Sequence, residues 1–269
     1  HAAVEAGCVS CHAPHASRNA RLMNEADAAM CVTCHEAEKT LKPKFAHAPF
    51  EAGDCVACHN PVATNLSSVA FPGFETDEAG EPAPFVVEGF GDATRCLVCH
   101  QGRESKASVD AQIARFAIED VDAVVAPIKD DKGNDVRFGF RNIHYFAAAA
   151  TLYGTEVKGG YEYEGKMYDA KHDHVEGYNT CVGCHDPHSL EVKVEQCAMC
   201  HGEGVTAEGG LKNIRESQAS AMDYDGDGNV EEGMYYEIEG LQQALLAQIQ
   251  TYAADKAGTG ITYDVAAYP

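Results

Sequence analysis

The chain has 269 residues, 45% of them hydrophobic, with 42 acidic against 20 basic side chains and a formal charge of −22. That hydrophobic fraction excludes wholesale disorder, and the acidic excess excludes a nucleic-acid binder working by phosphate neutralisation or docking on an anionic membrane surface. The longest apolar runs, around 121–128 and 146–153, fall short of the roughly 18–20 residues of a transmembrane helix; no basic segment with an apolar core opens the chain, so no signal peptide is read.

All twelve cysteines fall into six C-x-x-C pairs, each followed at once by His. In chain order they are Cys8, Cys11 and His12; Cys31, Cys34 and His35; Cys55, Cys58 and His59; Cys96, Cys99 and His100; Cys181, Cys184 and His185; and Cys197, Cys200 and His201. This spacing is that of covalent haem c attachment. Two thiols three residues apart lie on one turn and can add to the two vinyl groups of one porphyrin, while the adjacent imidazole reaches the iron. A disulfide scaffold needs no His after each pair. Zinc sites gather ligands in fours without demanding His there, and a thioredoxin-like pair occurs once or twice. With His at about 5% of the chain, six successive His by chance is roughly a one in 10⁸ event, so the expectation is six haems c.

Seven of the thirteen His lie outside these motifs: His1, His15, His47, His144, His172, His174 and His188. Six irons with a second axial position each would use six of them. His1, His47 and His174 lie seven or eight residues ahead of Cys8, Cys55 and Cys181, while His15 and His188 follow their motifs as C-H-x-P-H. The third motif continues CHNPV, so Val62 stands where that repeat would put His. His144 stands alone in RNIHYF, ahead of an Ala-rich helical stretch. The expected distal ligands are His1, His15, His47, His144, His174 and His188, with His172 the alternative to His1 or His174. Spacing leaves open which of them serves which haem.

The repeat H-x₆₋₇-C-x-x-C-H covers residues 1–62 with three motifs and returns at 172–201 with two. Between them, 72–90 is rich in Gly, Pro and Glu and reads as irregular loop. Residues 92–104 hold the fourth motif. The next stretch predicts a short helix capped by Ser105 or Ser108. Residues 121–140 turn at DDKGND and predict a β-hairpin; 161–171, turning at Glu164–Gly165, look alike. Helices are expected over 211–222 and 230–256, the second with Ile238, Leu241, Leu245 and Ile249 on one face. Between them, Asp223, Asp225, Asp227, the Asn229 carbonyl and Glu231 occupy positions one, three, five, seven and nine of an EF-hand-type calcium loop, with Gly228 at six. Position twelve is Met234 instead of Glu, for which Glu232 could substitute through a tighter loop.

The predicted fold is a mostly irregular, haem-wrapped chain with short α-helices, one or two β-hairpins and a helical C-terminal segment. Residues 1–204 form a hexahaem-binding region, with motif clusters at 1–62, 92–104 and 172–201 and a hairpin-containing insert at 105–171. Residues 205–269 form a helix–acidic loop–helix segment.

The stretch RNIHYFAAAATLYG…GYNTCVGCHDPHSLEVKVEQCAMCH, with DYDGDGNVEEG after it, resembles the multihaem c-type cytochromes of metal-respiring and related bacteria. The doubled CxxCH pattern with CHxPH is shared across that group, and the resemblance runs from Cys8 to the C-terminal helix. It implies an exported protein that stacks bis-His haems within electron-hopping distance. Some such cytochromes polymerise into extracellular filaments in which a His of one subunit completes a haem of the next. On that analogy His1 would ligate a haem in a neighbouring copy.

The functional expectation is electron transfer, periplasmic or extracellular because covalent haem attachment takes place outside the cytoplasmic membrane. Its partners would be other redox proteins or extracellular electron acceptors. The competing reading is a multihaem reductase, which needs one iron with an open face. No C-x-x-C-K variant occurs, and all six proximal positions are His.

Overall fold

The computed structural model of the chain describes residues 7–13, 15–16, 18–19, 23–25, 27–44, 46–59, 66–76, 82–144, 146–215 and 222–263. His1 and Val62 lie outside them. The chain divides into two compact units, His1–Val192 and Lys193–Pro269, so the sixth motif falls in the second.

The first unit is mostly irregular. Its helices are short: α1 Asp27–Cys31, α2 Glu36–Thr40, α3 Ala48–Glu51, α4 Val56–His59, α5 Thr94–His100, α6 Lys106–Arg115, α7 Ala148–Tyr153 and α8 Cys181–Cys184. Helices of this length are marginal in water without outside support. Two antiparallel pairs complete it, β1 Ser68–Thr76 with β2 Pro82–Glu88, and β3 Ile128–Lys129 with β4 Asp135–Val136.

The β1–β2 pair lies where the sequence reading expects a loop over 72–90. Val69 stands opposite Val87 and Ala70 opposite Val86, and the register shifts between Ala70 and Phe74. In a two-stranded sheet each strand has an unpaired edge, where Pro is tolerated. Pro72 sits in the shift, so it does not break the ladder. The alternation is clear once the strands are known, with Val69, Phe71 and Val87 buried and Ala70 and Val86 exposed.

These side chains build the first unit's core. Val69, Phe71, Val87, Leu97, Ala149, Ala150, Tyr153 and Val157 pack together, bringing α5 and α7 onto the hairpin. Phe71 meets Tyr153 edge-on at 5.4 Å between ring centres and Phe85 at 6.1 Å. Leu97, fully buried, stands between the cysteines of the fourth motif, so that motif's helix is itself a core element.

The helix expected after the fourth motif is α6. Ser105 is its N-cap, in a capping box with Ser108. Gln112 on α6 exchanges two hydrogen bonds with Gly139, Nε2 to the carbonyl at 2.7 Å and the Gly139 N–H to Oε1 at 3.1 Å. The expected 121–140 hairpin is β3–β4, its turn closed by the Lys132 and Asn134 N–H groups donating to Asp130 Oδ1 at 2.9 and 2.8 Å. Residues 161–171 keep the turn at Glu164–Gly165 but form no strands. There the Tyr163 N–H donates to the Tyr168 hydroxyl at 2.9 Å instead of to an opposing carbonyl.

The second unit contains α9 Val194–His201 and α10 Met234–Ala257. The expected 211–222 helix begins as a single 3₁₀ turn, Gly210–Asn213, and ends at Ile214, whose backbone is extended; 216–221 lie outside the described residues. Helix α10 starts at Met234, later than expected, because the acidic loop holds the chain up to the N-cap Gly233. Its Ile238, Leu241, Leu245 and Ile249 stripe is exposed.

Among the described residues only eleven apolar side chains are buried. Phe71→Ala should therefore cost the first unit about 3–5 kcal/mol, read as an earlier unfolding transition of the haem-loaded chain by circular dichroism.

Candidate metal centres

Each motif is built on a single turn. In the second, third and fifth, the His N–H donates to the carbonyl of the first Cys, at 3.0 Å for His35–Cys31, 2.9 Å for His59–Cys55 and 2.8 Å for His185–Cys181. The fourth and sixth lie within α5 and α9. The first begins in a 3₁₀ turn, Cys8–Ser10, pinned by Asn24, whose Nδ2 donates to the Val9 carbonyl at 3.1 Å and whose N–H donates to the Cys11 carbonyl at 2.9 Å. Residues three and four apart on a turn share one face, so the two thiols and the imidazole can meet one planar group. Among the described residues no disulfide joins two cysteines.

Two His pairs each unite a motif imidazole with one outside the motifs. His47 and His100 have ring centres 6.1 Å apart with planes at 52°. His59 and His188 are also 6.1 Å apart, at 49°. His47 is the N-cap of α3. Phe50 on the same helix stacks on His188 at 5.4 Å and 19°. One short segment thus supplies one imidazole and orients another.

Their protonation suits metal binding, which takes neutral imidazole. Burial lowers the His47 pKa, and His100 lowers it further. Burial also lowers His59, followed by Arg95, His188 and His35. His100 Nδ1 lies 2.5 Å from the Phe146 carbonyl and His185 Nδ1 3.1 Å from the Leu190 carbonyl. Such bonds fix the Nδ1–H tautomer and leave Nε2 to a metal.

The thiols meet as well. Cys96 and Cys181 are hydrogen-bonded to each other; that bond lowers Cys96 to about 6 and pushes Cys181 up. Cys31 is raised by burial and by Cys55, to which it is also hydrogen-bonded. The first cysteines of motifs two and three are therefore neighbours, as are those of motifs four and five.

The other expected ligands are placed less tightly. His144 has a φ of +79°, uncommon for a non-glycine residue, and its N–H donates to Asn142 Oδ1 at 2.8 Å. Its segment borders the fourth motif, since the Arg103 N–H donates to the Ile143 carbonyl at 2.9 Å. His174 packs against Tyr178 at 6.3 Å, and the His172 N–H donates to the Leu152 carbonyl. His15 is exposed. His188 is held by Asp186, whose Oδ1 accepts from the His188 and Ser189 N–H groups at 3.0 and 2.8 Å.

In the second unit the acidic loop folds on itself. Asp223 accepts from the Gly226 and Gly228 N–H groups at 2.7 and 2.9 Å. Carboxylates of Asp223, Asp225 and Asp227 lie within 4.8 Å of one another, and so do those of Asp225, Glu232 and Glu237; Glu231 is in neither group. Glu237 is fully buried, paired with Arg215 at 2.6 Å and accepting from the Tyr224 and Asp225 N–H groups. Glu232 has a buried Oε1 without a hydrogen-bond partner. Burial and the facing Asp227, Asp225 and Glu237 push its carboxyl up. The sequence reading does not single out Arg215, Glu237 or Phe50.

Paired thiols with an imidazole on single turns imply haem c binding, and two of those imidazoles, His59 and His100, are faced by an imidazole from outside the motifs. Residues 1–40 and 47–72 match the family described as the doubled CXXCH motif. That match supports a multihaem c-type cytochrome, a class whose work is electron transfer. No curated protein and no solved structure matches the chain.

Asp186→Ala removes the acceptor that holds His188, whereas Asp186→Asn keeps an oxygen in place. The Ala variant should show faster amide hydrogen exchange at His188 and Ser189, and the Asn variant exchange close to that of the parent chain, by hydrogen–deuterium exchange.

Proposed function

We propose that the chain transfers electrons through six bis-His, low-spin c-type haems as a periplasmic or extracellular respiratory conduit. Residues 1–204 hold the haems, and 205–269 form an accessory segment. The observation that carries this reading is the pairing of motif with non-motif imidazoles, His100 with His47 and His59 with His188, each at 6.1 Å.

Haem bound in these motifs supplies a reversible one-electron iron couple, and two imidazole ligands keep its potential low relative to Met ligation. The chain's residues do the rest. The twelve cysteines anchor the rings. His12, His35, His59, His100, His185 and His201 provide the proximal ligands, and His1, His15, His47, His144, His174 and His188 the distal ones. A full ligand set closes each iron to small molecules, which separates a carrier from a reductase. Among the described residues no helix is long and apolar enough to cross a membrane. The charge of −22 favours basic redox partners or metal cations as acceptors. A homopolymer in which His1 completes a haem of the next copy belongs to the same reading.

The test is the visible spectrum of the dithionite-reduced protein before and after carbon monoxide, with haem content from intact mass. Six haems and no spectral change are expected. A shift corresponding to about one haem in six would replace the conduit with a reductase.

We also propose that the acidic loop binds calcium through Asp223, Asp225, Asp227, the Asn229 carbonyl and Glu231, with Glu232 taking the place of the position-twelve Glu that Met234 replaces. The partnerless Glu232 oxygen facing Asp225 supports this. Extracellular calcium modules bind at about 10⁻⁴–10⁻³ M. A calcium excess of about 100-fold over Kd should then stabilise the second unit by about 2.7 kcal/mol. Its thermal midpoint should rise with calcium and fall with chelator, and Asp225→Ala should abolish the difference.

A further inference from the structure

Two imidazoles bound on opposite sides of one metal, each at about 2.0–2.1 Å, have ring centres roughly 6–6.5 Å apart. A direct N–H···N hydrogen bond would draw the centres to about 5–5.5 Å. Both His pairs stand at 6.1 Å, too wide for the bond and right for an iron between them. Each combines one motif His with one non-motif His, and in neither does the non-motif His face its neighbour in sequence. His188 lies three residues after His185 yet faces His59. His47 lies eight residues before Cys55 yet faces His100 of the fourth motif.

Building on the haem loading proposed above, we propose that motifs three to five form one cross-ligated redox cluster, in which His188 is the distal ligand of the third motif's iron and His47 that of the fourth. Two short peptides then tie three irons. Residues 47–59 carry the fourth iron's distal ligand and the third iron's proximal one. Residues 185–188 carry the fifth iron's proximal ligand and the third iron's distal one. Phe50 on α3, stacked on His188 at 5.4 Å, holds α3 against the fifth motif's tail.

The arrangement is tested by removing a ligand with and without its haem. In the full chain, His188→Ala should make one haem in six reactive to carbon monoxide. With the third motif unable to attach haem (Cys55→Ala, Cys58→Ala), adding His188→Ala should expose no further iron. His47→Ala should behave likewise, adding one reactive haem in the full chain and none when Cys96→Ala and Cys99→Ala remove the fourth. A reactive haem that still appears in the haem-deleted background would assign that His to another motif and overturn the proposal. Should the deletions misfold, the holoprotein structure decides by electron cryomicroscopy or crystallography. His47 and His100 Nε2 bonded to one iron, and His59 and His188 to another, would uphold it, and any other pairing would overturn it. These readouts need only motifs three and four loaded. A wild-type chain that binds carbon monoxide elsewhere, or carries fewer than six haems, would count against the conduit reading and not against the pairing.

Discussion

A turn of helix that carries two thiols and an imidazole on one face can serve only one planar partner, and this chain repeats that turn six times. The repetition limits everything else. Residues committed to the turns and to the ligands between them cannot also build a conventional interior, and among the described residues few apolar side chains are buried. Helices of four to eight residues around the motifs are too short to stand alone. What steadies them is local: a Thr180 cap on α8, Asn24 across the first motif, Asp186 beneath the fifth motif's tail. The exception is α5, where Leu97 is both a motif residue and part of the Phe71–Tyr153 core. That helix is where the polypeptide's own packing and the metal sites meet, and the His100 ring is fixed from it by the Phe146 carbonyl.

Electrostatics follow from the same commitment. The acidic surplus is spread over loops and turns, while the imidazoles near one another are kept neutral by burial and by mutual repulsion, as at His47 and His59. Where carboxylates do converge, in the second unit, one of them is neutralised by Arg215 and another, Glu232, is left facing its own kind. Gly240 on α10 belongs to that arrangement, because a Cβ there would collide with the Asp225 carboxylate. A glycine costs a helix interior up to about 1 kcal/mol; here it lets the acidic loop lie directly on the helix.

The sequence made the local chemistry legible and hid the non-local geometry. Attachment motifs, candidate imidazoles, the Ser105 cap and the turn at 130–135 are each set by residues within a few positions of one another. The β1–β2 hairpin was not legible because Pro72 and Pro84 read as loop breakers, and only the edge character of a two-stranded sheet makes them tolerable. The 161–171 stretch misled in the opposite sense: Tyr161 and Tyr163 have the period of a strand, but the Tyr161 hydroxyl donates to Asp110 and the Tyr163 N–H donates to the Tyr168 hydroxyl. The partner of each imidazole was out of reach for the same reason. His59 and His188 are brought together by the packing of distant segments, and no spacing along the chain encodes that.

Crossed ligation has a consequence for cooperativity. A His that returned to its own motif's iron would make each site a separate loop, and one could be lost without the others. In the proposed arrangement, residues 47–59 and 185–188 each bridge two irons, so releasing one ligand loosens the peptide that holds the next. Ligands of interlocked sites do not contribute additively. The first unit's weak core makes this coupling more than a refinement. With so few apolar side chains buried among the described residues, the metal–imidazole bonds of the proposed arrangement would be long-range tethers between segments 47–59 and 181–192, and binding energy at the sites would become folding energy of the chain. Such a chain would gain most of its order on loading, and the geometry of the proposed electron path and the stability of the fold would then rest on the same few imidazoles.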